Sequence, residues 1–374
     1  MTTSRRIAFF APIKPPDHPI PSGDRLIAQN LITAFEAGGH TIELASRYIC
    51  YSKRSNPEIL EERKTGALEE AESLKSKYLE MSSTERPDIW VTYHPYCKAP
   101  DWIGPVVSKA LRIPYVTIEA ARTGQGGPED EWGPWRREAQ VGIRQADLHL
   151  VFKPTDRKYL TELLGSEQRL FDIPTFMDTD LSTKASIELP TGWKPHTPVM
   201  TTTGMMRKGK KDRNFYMLAE ILSGMTDQDW NLVVVGGGPE ETQIRAAFAE
   251  IPTDRIHWTS QVPHEDVLAW MAKSDLFIWP GWKEPIGMVY LEAQLMGLPV
   301  IAYESMGVPL VVEHSVTGLL APEDDVEAIR RNITVLLQNP KKRKKMGEIA
   351  PRRVQEKHSI KAAASILSKA ICNL

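Results

Sequence analysis

The stretch DLFIWPGWKEPIGMVYLEAQLMGLPVIAY, residues 275–303, says most about the fold of this chain. An apolar run is followed by a Pro-Gly turn, a segment with helical spacing and a second apolar run. This order predicts a strand, a helix and a strand, the unit from which parallel sheets are built. Glu284 lies at the start of the predicted helix and Glu292 lies eight residues later. At ~1.5 Å per helical residue, the two carboxylates are roughly 12 Å apart along the axis.

Short apolar segments alternate with amphipathic helices through most of the chain. The predicted strands are residues 6–10, 41–45, 88–93, 115–119, 147–152, 169–173, 198–203, 231–235, 255–258, 275–279 and 299–303. Segment 174–197 is polar, contains three prolines and lacks periodicity, which is typical of a linker between domains. The sequence therefore predicts an α/β protein with two doubly wound Rossmann-like domains facing a cleft, because such sheets bind ligands at their carboxyl ends.

The composition excludes several classes of protein. With 374 residues, 41% hydrophobic and 25% charged, the chain has the balance of an ordinary globular protein of about two domains. A net charge of -2 does not favour a polyanion binder. The three cysteines give neither a disulfide framework nor a paired metal spacing. No apolar run reaches the ~18–20 residues that span a bilayer. We therefore expect a cytoplasmic protein.

The helix that begins near Gly287 suggests a binding chemistry. Backbone N–H groups and the helix dipole at such an N-terminus favour an anion such as a diphosphate. Ionised carboxylates on either side, Glu284 and Glu292, accept hydrogen bonds from sugar hydroxyls. The alternative is that Glu284 only favours the helix dipole and that Glu292 is a solvated helix residue.

Several segments in this order resemble glycosyltransferase family 4, whose members are retaining enzymes of the GT-B fold. The stretch around Glu284 and Glu292 resembles the Glu-x7-Glu motif of the family. VVVGGGPEE (233–241) resembles its strand and Gly-x-Gly-Pro turn, and GDRLIAQNLITAFEAGGHTIELA (23–45) its first helix and second strand. The resemblance covers nearly the whole chain.

The resemblance implies roles for residues along the Glu-x7-Glu motif. Glu284 would contact hydroxyls of the donor sugar, and Glu292 would bind the ribose of the nucleotide. The backbone at Gly287, Met288 and Val289 would lie at the sugar and the phosphates.

Further positions match the family outside this motif. Gly23 would approach the donor phosphates, and Gly236 and Gly238 would line the same cleft. The backbone of Val262 would meet the nucleobase. His94, at the end of a predicted strand, would lie beside the donor sugar.

The cations that bind the diphosphate are less clear from the alignment. The family has an Arg in the turn that opens the second domain and a Lys six residues further on. Met205 occupies the Arg position, and Lys211 occupies the Lys position. A shifted alignment selects Lys208 instead, and Arg207 could replace the missing Arg. We take Glu284, His94 and Lys211 as the catalytic residues.

The resemblance also implies a division of labour between domains. Residues 1–180 would form the acceptor-side domain and 181–345 the donor domain. Residues 346–374 would form a helical segment that crosses back to the first domain. Glu119 ends a predicted strand before a Gly-rich, aromatic segment, 120–135, which suits an acceptor-side loop or a plain surface loop.

The expected activity is transfer of a sugar from a nucleotide-diphosphate-sugar donor, with retention at the anomeric carbon. A UDP-sugar is the favoured donor, with GDP- and ADP-sugars as alternatives, and the sequence does not identify the acceptor. The alternative functions are a GT-B-fold sugar-nucleotide epimerase and a non-catalytic nucleotide-sugar-binding subunit. Met205 at the Arg position favours the latter.

Two charged motifs complete the expectations. Asp178 and Asp180 form an Asp-x-Asp pair, but they lie in the predicted linker, so we expect no metal and no cofactor. Residues 341–357 contain eight basic and two acidic side chains. They predict either a solvated helix face or peripheral contact with an anionic membrane. No nucleic-acid recognition module accompanies this charge.

Overall fold

The computed structural model describes residues 4–20, 22–121, 130–181 and 185–374. The chain divides into two compact units. The first unit is Met1–Met177 together with Ile360–Leu374, and the second is Asp178–Ser359.

The described part of the first unit contains a six-stranded parallel sheet with helices on both faces. Its strands are β1 (Arg6–Phe10), β2 (Thr41–Ser46), β3 (Ile89–Tyr93), β4 (Tyr115–Ile118), β5 (Leu148–Val151) and β6 (Leu170–Asp172). Its helices are α1 (Gly23–Ala37), α2 (Pro57–Glu80), α3 (Gly104–Leu111), α4 (Gly133–Arg144), α5 (Pro154–Leu164) and the C-terminal α13 (Ile360–Ile371). The strand order is β2-β1-β3-β4-β5-β6.

The described part of the second unit contains a second six-stranded parallel sheet. Its strands are β7 (Val199–Thr203), β8 (Asn231–Val235), β9 (Ile256–Trp258), β10 (Leu276–Ile278), β11 (Val300–Tyr303) and β12 (Gly318–Ala321). Its helices are α6 (Lys210–Ser223), α7 (Glu241–Ala247), α8 (His264–Ala272), α9 (Met288–Leu295), α10 (Val308–Val311), α11 (Val326–Gln338) and α12 (Pro340–His358). The strand order is β12-β11-β10-β7-β8-β9.

Strand β1 explains why the first sheet is covered on both faces. Side chains alternate between the faces of a strand, and here both sets are apolar. Ile7 and Phe9 join one buried cluster, which includes Leu367 of α13. Ala8 and Phe10 join another on the opposite face. A strand that is apolar on both sides must be covered on both sides, which requires helices on each face.

The C-terminal helix α13 belongs to the first unit, where it packs on α1. The buried side chain of Ser368 lies 3.0 Å from Nε2 of His40. The guanidinium of Arg5 donates a hydrogen bond of 2.7 Å to the carbonyl of Leu374. The chain therefore returns to its first unit at its last helix, as predicted.

The predicted fold class is confirmed, because both sheets are parallel and doubly wound. Strand β12 was not predicted. The observed units divide at Met177/Asp178 and at Ser359/Ile360, whereas the predicted boundaries were at 180/181 and 345/346. The second predicted boundary falls inside α12, which begins after the Asn339 cap and continues through Pro351 to His358.

Candidate active site

The strand order of the second sheet reverses between β7 and β10, which are neighbours in space. The loops that leave two such strands run in opposite directions and open a crevice at the carboxyl ends, where doubly wound sheets bind ligands. Here these loops are residues 204–209 and 279–287. The crevice is formed entirely within the second unit.

An ion pair joins the two loops of this crevice. Nζ of Lys211, in the first turn of α6, lies 3.1 Å from Oε2 of Glu284. Their side chains are 29% and 15% exposed, so both are partly shielded from water and still reachable. The ammonium also lies 5.6 Å from the centroid of the buried Trp279 ring. A lysine ammonium has three donors, so Lys211 retains donors for a ligand.

The backbone holds Glu284 in place. Its amide donates to the carbonyl of Gly281 at 3.0 Å, and its carbonyl accepts from the amide of Gly307 at 3.0 Å. Both bonds are made by the main chain, so substitution of the Glu284 side chain leaves them in place.

The turn after β8 requires glycine at two positions. Gly236 and Gly238 have φ values of 130° and 151°, which L side chains rarely adopt. A Cβ at Gly236 would lie 2.2 Å from the carbonyl oxygen of Gly204, and one at Gly238 would lie 2.4 Å from that of Met206. The two turns therefore pack backbone against backbone beside the crevice.

Helix α9 begins directly after Gly287, and no side chain caps its first turn. Met288 and Val289 supply its first backbone N–H groups, which have no partner inside a helix. Glu292, on the second turn, is 18% exposed, and its Oε1 lies 3.0 Å from Nε2 of His264. This hydrogen bond raises the pKa of His264, although burial opposes the shift. The second carboxylate oxygen of Glu292 can accept a ligand hydroxyl.

The remaining predicted site residues of the second unit lie around this crevice and make fewer specific contacts. Arg207 and Lys208 are exposed, and Met205 is 56% exposed. Lys211 pairs with Glu284, whereas no ion pair of Lys208 is found among the described residues. The side chain of Val262 packs against an apolar cluster that includes Val235.

In the first unit, His94 lies beside the start of α1. The first sheet also reverses its order, between β1 and β3. His94 follows β3 with a left-handed φ of 60°, and its ring stacks on Tyr96 at 5.0 Å. Its Nδ1 lies 3.1 Å from Oδ1 of Asp24, which follows Gly23 in the first turn of α1. Gly23 and His94 therefore lie at the same edge of the first sheet.

This pairing shifts both pKa values. Burial by itself lowers the pKa of His94. The negative charges of Glu119 and Asp24 and the hydrogen bond to Asp24 outweigh burial and raise the pKa above its ordinary 6.5. The hydrogen bond from His94 lowers the pKa of Asp24 below 3.8. The contribution of His94 to stability is complete below pH 6.5 and is lost as the pH rises through its raised pKa. The contribution of Asp24 to stability is lost only as the pH falls through the lowered pKa of this carboxyl.

Glu119 forms a buried network at the next strand end. It is 2% exposed and accepts hydrogen bonds from Tyr93, at 3.2 Å, and from Lys153. Lys153 also lies 3.2 Å from Asp156. Glu119 is therefore satisfied inside the first unit. Of the predicted acceptor-side loop, residues 122–129 lie outside the described residues.

The Asp-x-Asp pair has a local structural role. The amide of Asp180 donates to Oδ1 of Asp178 at 3.0 Å, which fixes a turn. Across the described ranges there is no group of three or more His, Cys, Asp or Glu side chains arranged to hold a metal. No helix in the described part of the chain combines the length and the hydrophobicity needed to span a membrane.

The sequence did not identify three residues that contact predicted site residues. Asp24 contacts His94 from 70 positions away, and His264 contacts Glu292 from 28 positions away. Trp279 lies beside the Lys211 ammonium. The only sequence signals available were the position of Asp24 directly after Gly23 and that of His264 at a helix start.

Comparison with known proteins agrees with this geometry. Residues 190–353 match the family described as "Glycosyl transferases group 1". This part of the chain is therefore similar to the group 1 glycosyl transferases. The matched range contains β7 to β12 and hence the whole crevice with Lys211, Glu284 and Glu292.

Two curated proteins similar to this chain are glycosyltransferases. The 2-deoxystreptamine glucosyltransferase of Streptomyces kanamyceticus is 27% identical over 252 residues, which are 63% of this chain and 65% of the relative. The second is from Corynebacterium glutamicum and is named GDP-mannose-dependent monoacylated alpha-(1-6)-phosphatidylinositol monomannoside mannosyltransferase. It is 27% identical over 240 residues, which are 59% of this chain and 61% of the relative. The chain thus spans just under two thirds of the length of these relatives.

A solved structure extends the likeness of the fold to nearly the whole chain. The Anabaena protein HepE, in complex with UDP, superposes with a TM-score of 0.67 at 15% identity, over 99% of this chain and all of HepE. At this identity the likeness shows the fold, the GT-B pair of Rossmann-like domains.

Replacing Asp24 tests the electrostatics of the His94 site. We expect His94 to titrate above 6.5 in the wild-type protein and at lower pH in Asp24→Asn, because the variant removes a charge and a hydrogen bond while burial still lowers the pKa. NMR titration of the imidazole carbons measures both values. His264, which is paired with Glu292, should titrate unchanged. An unshifted His94 in the variant would contradict the pairing.

Proposed function

We propose that this protein is a retaining glycosyltransferase of family 4 that moves a sugar from a nucleotide-diphosphate-sugar donor to an acceptor. The observation that carries the proposal is the Lys211–Glu284 ion pair at the reversal point of the second sheet, within the group 1 domain. A cation and a carboxylate side by side in that crevice suit a ligand with a phosphate at one end and sugar hydroxyls at the other.

The diphosphate is assigned to Lys211 and to the free N–H groups at the start of α9. Negative charge develops on the departing diphosphate during transfer, so fixed donors aimed at it stabilise the transition state. The α9 dipole adds to this effect at Gly287, Met288 and Val289. Arg207, exposed beside the crevice, is assigned as a substitute for the family's Arg, whose position Met205 occupies, and Lys208 is the alternative to Lys211.

The two glutamates bind the two ends of the donor. Glu284 is assigned to the sugar hydroxyls and Glu292 to the ribose. The backbone of Val262 is assigned to the nucleobase, and Gly236 and Gly238 leave room for the donor because they carry no side chain. Each is an assignment by analogy with family 4.

In the first unit, Gly23 is assigned to the donor phosphates and His94 to the donor sugar. Asp24 holds the His94 ring and favours its protonated form, so the two side chains form an ion pair at this edge of the first unit. This unit is assigned to the acceptor side and the second unit to the donor.

A UDP-sugar is the favoured donor. HepE was solved with UDP, and in a further structure with UDP-glucose. The Corynebacterium relative is named for GDP-mannose, so a GDP-sugar is the second choice. The named acceptors of the relatives, an aminocyclitol and a glycolipid, differ too widely to select one here. We place the protein in the cytoplasm, where residues 341–357 form either a solvated helix face or a peripheral contact with an anionic membrane.

Conservative substitution of the two glutamates tests the assignment. We expect Glu284→Gln to lower the transfer rate by roughly a hundredfold or more, because it weakens a contact to the reacting sugar. Its affinity for UDP should stay close to that of the wild type. Glu292→Gln should instead weaken UDP binding by about tenfold, because it removes a charged acceptor of the ribose hydroxyls. Release of UDP from UDP-glucose and calorimetry with UDP measure the two quantities.

The matched control is Glu304→Gln, which removes one exposed carboxylate from the same unit. The opposite ranking, with UDP affinity lost in Glu284→Gln and kept in Glu292→Gln, would contradict the assigned roles. Donor binding without sugar release, with any of the UDP-, GDP- and ADP-sugars, would favour a non-catalytic subunit.

We also expect the activity to be independent of divalent metal. The cation Lys211 and the α9 N-terminus are assigned to the diphosphate, so a bridging metal is not needed. Assay of transfer after dialysis against EDTA should give the untreated rate. A rate abolished by EDTA and restored by manganese would overturn this expectation and direct attention back to Asp178 and Asp180.

A further inference from the structure

A cavity of about 630 Å³ lies at the amino-terminal ends of the strands of the second sheet. The proposed donor site is at the carboxyl ends of the same sheet, so the two sites lie at opposite edges. The cavity is bounded by residues 189–199, by Asn231 at the start of β8, by Asp275 before β10 and by the beginning of α12. Its volume falls in the range of small-ligand pockets, roughly 300–1,000 Å³.

The side chain of Asn231 lines this cavity without a partner. The residue is 6% exposed, and its side-chain amide forms no hydrogen bond with any residue that the structure describes. The polar atoms of this side chain are not among the fully buried unpartnered atoms, so they face accessible space, and such groups in native proteins are usually satisfied by protein, water or ligand. Asn231 can offer an N–H donor to a ligand in the cavity.

The start of α12 concentrates positive charge at the same place. Pro340 and Arg343, in its first turn, line the cavity. The helix has no acidic residue in this turn, and residues 341–345 are all basic. The dipole of this 19-residue helix adds a further partial positive charge at its N-terminus. Cations at the N-terminus of a helix are unfavourable unless an anion offsets them.

The rim of the cavity carries little negative charge to offset these cations. Lys194 and Lys273 are exposed, and no ion pair of either is found in the described part of the chain. Asp275 is the acidic residue among the lining side chains. It already accepts the amide of Val199 at 2.8 Å and lies 3.8 Å from Arg343.

We propose that this cavity binds a phosphate group through the Asn231 amide and the ammonium groups of Lys194 and Lys273, while α12, whose first turn is already capped by Asn339, contributes only the positive charge of its dipole and of Arg343. Phosphate is favoured because its several oxygens can accept from donors on different sides of one cavity. The phosphate can belong to a soluble ligand or to an anionic lipid headgroup, in which case residues 341–345 would face the membrane surface.

Titration with inorganic phosphate tests the soluble source. The melting temperature of the protein should rise saturably with phosphate at constant ionic strength, compared with chloride. The experiment is done in the wild type and in Lys211→Met, so that binding at the proposed donor site is counted separately. The Lys194→Ala, Lys273→Ala double variant should bind phosphate at least about tenfold more weakly in both backgrounds.

Co-sedimentation with vesicles tests the lipid source. Vesicles of phosphatidylcholine with phosphatidylglycerol should bind the wild type and should bind the double variant much less, whereas pure phosphatidylcholine should bind neither. Saturable binding of phosphate, of vesicles or of both that depends on Lys194 and Lys273 supports the proposal. Which of the two binds shows whether the phosphate belongs to a soluble ligand or to a lipid headgroup.

Two further variants keep the test decisive. Asn231→Asp keeps the size of the side chain but places a carboxylate in the cavity, so it should abolish phosphate binding while circular dichroism reports an intact fold. Arg331→Ala removes an exposed cation elsewhere in the same unit and should change nothing. Phosphate and vesicle binding that are both absent, or that are unchanged in Asn231→Asp and in the double variant, would overturn the proposal. Neither result would bear on the Lys211–Glu284 site.

Discussion

The reversal of strand order in each sheet is the constraint on which the proposed chemistry depends. In the second sheet it opens a crevice between the loops that follow β7 and β10, and the Lys211–Glu284 pair links them. The surrounding features serve this crevice. The glycines at 236 and 238 let two turns meet without side chains, and α9 starts at Gly287 with its N–H groups free. Side chains from distant parts of the sequence thus converge on one ligand-sized region.

Charge in the second unit is distributed over both edges of its sheet. At the carboxyl edge the charges of Lys211 and Glu284 offset each other, and a ligand can exchange with one member of the pair. At the amino edge the cations at the start of α12 have only Asp275 nearby in the cavity lining. An ion pair that is already formed suits a ligand with hydroxyls and phosphates, whereas uncompensated cations suit an anion alone.

Most of the fold could be predicted because its strands are short apolar runs separated by helices and turns. Strand β12 was missed because GLLA has only four residues, begins with glycine and follows another turn. The predicted boundary at 345/346 falls inside α12, whereas the observed units divide at Ser359/Ile360, because a helical pattern alone does not show which unit a helix packs on. The Glu-x7-Glu motif and the glycines could be located because their spacing is local.

Contacts between distant residues could not be predicted from one sequence. The pairs His94–Asp24 and His264–Glu292 depend on how strands and helices pack, and no local pattern encodes them. The choice between Lys208 and Lys211 was left open by two alignments. The structure places Lys211 on the first turn of α6, facing Glu284, while Lys208 stays exposed before the helix.

The central claim is that Lys211 binds the diphosphate of a nucleotide sugar, and calorimetry with UDP and uridine on Lys211→Met tests it most directly. Methionine keeps the length and the packing of the side chain against Trp279 but removes its charge. The account predicts that the variant loses at least about tenfold in UDP affinity, the scale of one charged hydrogen bond, while its affinity for uridine is unchanged. UDP affinity equal to that of the wild type would contradict the account.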